Sequence, residues 1–130
     1  MDPVVHFEIP YDNKTRMSGF YEKAFGWQTK SLGEEMGNYV LATSSPVGED
    51  GLPVPGTING GFFAKTAGAP QQHPSVMIAV EDITKAMDSV RQAGGKILGE
   101  PMEIPGVGKY VSFSDTEGNR LSLMQAAPRG

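Results

Sequence analysis

The chain contains no cysteine. That one absence removes disulfides, thiolate metal ligands and a cysteine nucleophile, and it leaves the redox compartment open. Positive charge is not in excess either: 11 Lys and Arg stand against 15 Asp and Glu, for a net charge of -4. A field of that sign offers nothing to phosphate backbones or anionic membrane surfaces, so neither nucleic acid nor membrane is an expected partner. No apolar run approaches the ~20 residues needed to cross a bilayer. Met1 leads directly into Val4-Val5-His6-Phe7, without a basic region, apolar stretch and small-residue cleavage site, and the expectation is a cytoplasmic protein. What is present suffices for one domain: 130 residues, of which 38% are hydrophobic, fill a core without staples.

The opening segment Val4 to Ile9 alternates, with Val5, Phe7 and Ile9 on one face and His6 and Glu8 on the other, which predicts a half-buried strand. Asp12 and Asn13 are N-cap candidates for a helix whose apolar stripe is Met17, Phe20, Tyr21, Ala24 and Phe25, predicted to lie on a sheet, and Gly26 ends it. The same strand-helix pattern returns at Val76, Ile78 and Val80, then Asp82 as cap, then Ile83, Ala86, Met87 and Val90, closed by Gly94-Gly95. An offset of 69 residues superimposes the two pairs, placing His6 on Ser75, Ile9 on Ile78, Ala24 on Ala93 and Gly26 on Gly95.

Three strand-like segments follow each helix: about 28–32, 38–43 and 57–63, then about 96–102, 109–114 and 120–125. Each half therefore reads βαβββ. The Gly/Pro-rich stretches 45–56 and 65–74 read as loops, the second linking a first module of about residues 1–65 to a second of about 75–130 within one domain. Gly106-Val107-Gly108 lacks the Lys-Ser/Thr and the following helix of a phosphate cradle and reads as a tight loop. Neither Ser75 nor Ser122 sits in the strand-turn-helix elbow of a serine hydrolase.

The ordered set His6-Phe7-Glu8-Ile9-Pro10, Phe20-Tyr21-Glu22-Lys23-Ala24-Phe25-Gly26-Trp27, Asn59-Gly60-Gly61, Ala79-Val80-Glu81-Asp82-Ile83, the segment from Pro101 to Gly108, and Asp115-Thr116-Glu117-Gly118-Asn119 resembles the vicinal oxygen chelate superfamily. This is the superfamily of glyoxalases, bleomycin-resistance proteins and extradiol dioxygenases, and the likeness is greatest to its glyoxalase-related branch. It spans nearly the whole chain. The resemblance implies an α+β fold in which two βαβββ modules form an open barrel or cleft with helices outside, a small organic molecule as partner, and a homodimer. It also implies metal-ligand positions on the first and last strand of each half, where imidazoles and carboxylates hold a divalent ion with open positions.

Matched by position, His6 falls on the first such site, Ser75 on its second-half equivalent, Ser122 on the last-strand carboxylate, and Gly60 or Gly61 on the fourth. Hydroxyls are poor ligands and glycine has none to offer, so a divalent metal is disfavoured and His6 is the only matching ligand. His6 reads as a cavity-lining polar group, as a catalytic base, or least as a ligand, with Glu8 beside it on the same strand face. His73 shares the parity of Ser75 but is separated from it by Pro74.

The parity of Ser122 turns Arg120 and Met124 the same way and sends Leu121 and Leu123 to the helix; that of Ser75 takes Met77 and Ala79 along. The same reasoning prefers Gly61 to Gly60 as the residue facing away from the helix. Tyr39 and Tyr110 begin central strands, where they either stack on a flat ligand or, by preference, fill core. Trp27 is expected at the helix-strand junction. Two classes of function remain open. One is a lyase-, isomerase- or dioxygenase-like enzyme using His6 and Glu8. The other is a non-catalytic protein that binds or sequesters a small molecule.

Overall fold

The structure, a computed structural model, describes residues 1–69, 72–104 and 107–128. Pro70 and Gln71 of the linker and Gly106 of the tight loop lie outside the described residues. The fold is mixed α+β and is built from two βαβββ modules. The first comprises β1 (Val4–Tyr11), α1 (Lys14–Phe25), β2 (Gln28–Ser31), β3 (Val40–Thr43) and β4 (Asn59–Ala64). The second comprises β5 (Ser75–Ala79), α2 (Ile83–Gln92), β6 (Lys96–Ile104), β7 (Gly108–Ser114) and β8 (Arg120–Ala126). A 3-10 turn at Glu34–Met36, which no periodicity announced, bridges β2 and β3. No described helix is long and apolar enough to cross a membrane.

By contact the chain divides into His6–Pro74 and Ser75–Gly130, with Met1–Val5 belonging to the latter. Pro3 makes that link, its carbonyl accepting the Ala79 amide at 2.9 Å. Within the first unit the strands run in the order β2-β3-β4-β1, within the second β5-β8-β7-β6. The first and last strand of each module are parallel neighbours, Glu8 beside Gly61 in β1/β4 and Met77 beside Ser122 in β5/β8. The remaining pairs are antiparallel.

Both helices start where the sequence places a cap. The Asn13 side chain accepts the Arg16 amide at 2.9 Å, and Asp82 does the same for Lys85 at 3.0 Å, so an orphan donor of each first turn is satisfied. The two caps are themselves 69 residues apart. Gly26 adopts a left-handed conformation (φ 73°) that lets its amide reach the Glu22 carbonyl and stops α1.

Each unit has its own core. In the first, Tyr11, Val40, Ala42 and Phe62 are buried, with Phe7, Ile9, Met17, Tyr21 and Trp27 packed against them. Trp27 stacks on Tyr21 with ring centroids 4.6 Å apart, at the junction where it was expected. In the second, Ile83, Met87, Val111, Phe113 and Leu123 are buried, joined by Ile78, Val80, Ala86, Val90, Ile97 and Leu121. A buried side chain of this size contributes roughly 1.5–3 kcal/mol relative to its exposed state.

One expectation is corrected here. The α1 stripe is only partly used: Met17 and Tyr21 join the core, whereas Phe20 and Phe25 are 57% and 63% exposed. At about 100° per residue these two phenylalanines are the outer edges of the stripe. Ala24, nearer the centre of the stripe, is exposed as well, so the sheet beneath covers only the Met17–Tyr21 line of the helix.

Candidate functional site

The period of 2 in β1 turns Phe7, Ile9 and Tyr11 toward the core of the first unit and His6 and Glu8 to the opposite face. On that opposite face the His6 Nε2 lies 3.0 Å from the Tyr39 hydroxyl, a hydrogen bond in which either group can be the donor according to the imidazole tautomer. His6 is half-buried, and burial holds its pKa below the ordinary value. Burial thus favours the neutral ring, in which one nitrogen accepts and the other donates.

The two glycines of β4 face opposite ways. A Cβ on Gly60 would run into the Phe7 ring, on the core side. A Cβ on Gly61 would coincide with the Tyr39 hydroxyl, on the side of His6. The register agrees: Glu8 is beside Gly61 just as Met77, 69 residues later, is beside Ser122. Gly61, not Gly60, is thus the counterpart of Ser122.

In the second unit β5, β8 and β7 turn Ile78, Leu121, Leu123, Val111 and Phe113 to the helix. The alternate residues make the other face. Met77 and Ser122 are buried and paired in register, and the half-buried Ala79, Tyr110, Met124 and Ser112 continue the face, Ala79 and Tyr110 each beside Met124 and Ser112 beside Ser122. The Arg120 guanidinium donates to the Ser112 Oγ at 3.4 Å, and the Ser112 and Ser122 hydroxyls are themselves 3.4 Å apart, a row of long polar contacts. The Tyr110 hydroxyl donates to the Met102 sulfur at 3.3 Å. Ser75 is half-buried on the same parity.

Tyr39 and Tyr110 are a second correction. Both were preferred as core residues, yet neither belongs to a packed cluster, because both fall on the helix-averted side, where their hydroxyls find His6 and Met102. Tyr39 also precedes β3 instead of opening it. His73 is exposed in a bend before β5. One participant, Ser112, and one pairing, Tyr39 with His6, went unread in the sequence. Ser112 is two residues beyond Tyr110, and extending that residue's parity along β7 would have found it. The Tyr39–His6 bond joins residues 33 apart and leaves no local signal.

Among the described residues no group of three or more His, Asp or Glu converges. The His6 Nε2 is engaged by a phenol, and the space where residue 61 would extend a side chain is occupied by that same phenol. A neutral hydroxyl is a weak ligand for such ions, so these residues do not fit a chelated metal.

Residues 4–123 match the sequence model of the Glyoxalase/Bleomycin resistance protein/Dioxygenase superfamily. CFP32 of Mycobacterium tuberculosis, a glyoxylase by name, is 28% identical over 126 residues, which are 94% of this chain and 43% of CFP32. The chain thus spans less than half the length of that relative. A glyoxylase-like domain-containing protein of Didymella fabae is 29% identical over 119 residues, 89% of this chain and 88% of its own. Among solved structures, methylmalonyl-CoA epimerase from Mycobacterium tuberculosis superposes with a TM-score of 0.68 at 15% identity, covering 96% of this chain and 88% of that one.

Proposed function

The chain belongs to the Glyoxalase/Bleomycin resistance protein/Dioxygenase superfamily, and on that premise we propose that it binds a small organic molecule at its His6-bearing face through hydrogen bonds, without a chelated divalent ion. The observation that carries this reading is the pairing of His6 Nε2 with the Tyr39 hydroxyl over Gly61. A neutral imidazole and a phenol together offer a donor and an acceptor to a carbonyl, enol or hydroxyl oxygen. The second unit's row of Arg120, Ser112 and Ser122 supplies further donors of the same kind on its own helix-averted face. Small-molecule sites combine apolar lining with a few placed polar groups, which matches the mix of Met77, Met124 and serines there.

The test is a thermal-shift and calorimetric screen of dicarbonyl, aromatic hydroxy and acyl-thioester compounds on protein purified without chelator, repeated on His6→Ala. A stabilising ligand should bind His6→Ala about tenfold more weakly, the equivalent of one hydrogen bond of roughly 1.4 kcal/mol. Dialysis against a chelator should change neither the melting temperature nor the ligand response. Recovery of a stoichiometric divalent ion that is lost in His6→Ala would overturn the metal-free reading.

A further inference from the structure

We propose that Tyr39 is the positioning residue of the His6 face and that Gly61 is glycine in order to admit it, so that the phenol stands where a side chain of residue 61 would stand and fixes the imidazole in one tautomer and one direction.

Three observations meet at one point. The Tyr39 hydroxyl is 3.0 Å from the His6 Nε2. It lies so close over the Gly61 Cα that a Cβ there would coincide with the hydroxyl and the adjoining ring carbons. Gly61 itself has no left-handed backbone: among the described glycines with positive φ it does not figure, so conformational freedom is not its reason for being glycine. What remains is close approach. Because Tyr39 immediately precedes β3, whose Leu41 pairs with Gly61, the phenol is carried by the neighbouring strand and reaches across β4 toward β1. The Tyr39 backbone is tied on both sides, the amide donating to the Met36 carbonyl of the 3-10 turn at 3.3 Å and the carbonyl accepting the Leu32 amide at 2.8 Å, so the hydroxyl is carried from a fixed point beside the sheet.

An imidazole on an open strand face would turn about χ1 and χ2 and exchange its proton between two nitrogens. A phenol hydroxyl is a stronger acid than an imidazole N–H and so the preferred donor of the pair, and its bond favours an unprotonated Nε2 and leaves Nδ1–H as a donor toward a ligand. The ligand selected is then one with a single hydrogen-bonding oxygen suited to that nitrogen, and a chelating pair of oxygens gains nothing.

The experiment uses the fact that the chain has only two histidines, His6 and His73. Imidazole nitrogen NMR on the full chain therefore shows two ring systems, with exposed His73 as internal reference. In the native protein His6 should show one protonated and one unprotonated nitrogen, separated as in a fixed neutral tautomer, while His73 shows exchange averaging. Tyr39→Phe should collapse that separation at His6 and leave His73 in place, with the melting temperature little changed. Gly61→Ala should produce the same change at His6, because the added methyl displaces the phenol. In a double-mutant cycle, Gly61→Ala should lower the melting temperature by several degrees in the native background but have little effect in a Tyr39→Ala background. If Gly61→Ala does not fold, Tyr39→Phe alone decides. His6 signals unchanged in Tyr39→Phe, or Gly61→Ala equally damaging with and without Tyr39, would overturn the proposal. The consequence for ligand choice rests on the function proposed above. A screen without any stabilising ligand would sink that function and leave the NMR result standing, so the two failures are distinguishable.

Discussion

His6 couples protonation to stability through burial. Its pKa in the fold is below 6.5, because the charged ring loses solvation there, whereas in the unfolded chain it has the ordinary value. Above 6.5 both states hold the neutral ring and nothing is lost. As the pH falls through 6.5 the unfolded state takes up a proton that the folded state refuses, so stability declines from there down to the folded pKa and then levels off. Denaturant titrations at a series of pH values should show this slope in the native chain and lose it in His6→Gln. A slope that persists undiminished in His6→Gln would assign it to other groups. The orientation of His6 away from the core was legible from the alternation Val5, Phe7, Ile9. Its partner was not, because a side-chain contact spanning 33 positions depends on how three strands come together.

The helices owe their ends to single side chains, and these are testable one at a time. Asn13→Ala and Asp82→Ala should each destabilise by about 1 kcal/mol, since each leaves a first-turn amide without its acceptor. Urea unfolding of the two variants checks this, and a change well under half that size in both would mean that water caps these helices equally well. Caps and glycine stops were readable because they are local chemistry, contained within four or five residues. The width of the α1 stripe was over-read for the complementary reason. Periodicity identifies which residues share a helix face, and only the sheet decides how much of that face is covered, which is why Tyr21 is stacked on Trp27 while Phe20 and Phe25 remain in solvent. The strand limits shifted by one or two residues, as when β1 continued from Ile9 through Tyr11, whose hydroxyl donates to the Asn38 carbonyl at 2.7 Å.

Across the molecule, stability should be distributed by sheet position within each unit. In the strand order of the first unit β3 and β4 are inner strands and carry Val40 and Phe62, which are 1% and 0% exposed; in that of the second unit β8 and β7 are inner strands and carry Leu123 and Val111. Native-state hydrogen exchange should find the slowest amides on these four strands and the fastest regular structure at β2 and the Glu34–Met36 turn, at the sheet edge. Slower exchange in β2 than in β4 would contradict this ordering.

The sequence by itself determined the βαβββ repeat, the 69-residue offset that joins His6 to Ser75 and Asn13 to Asp82, the two helices with their caps, and the face to which each β1, β5 and β8 residue turns. All of these follow from periods and turn chemistry that act within a few residues. Parity also favoured Gly61 over Gly60, and only the tertiary structure decided that Gly61 is paired with Glu8 as Ser122 is with Met77, that the Ser112 hydroxyl lies within reach of both Arg120 and Ser122, and that the Tyr39 phenol lies over Gly61 against His6. Those outcomes depend on strand register and on the close approach of side chains from separate strands, and no local pattern encodes either. The resemblance to a chelating family located His6; the packing around it assigns that histidine a phenol as its partner.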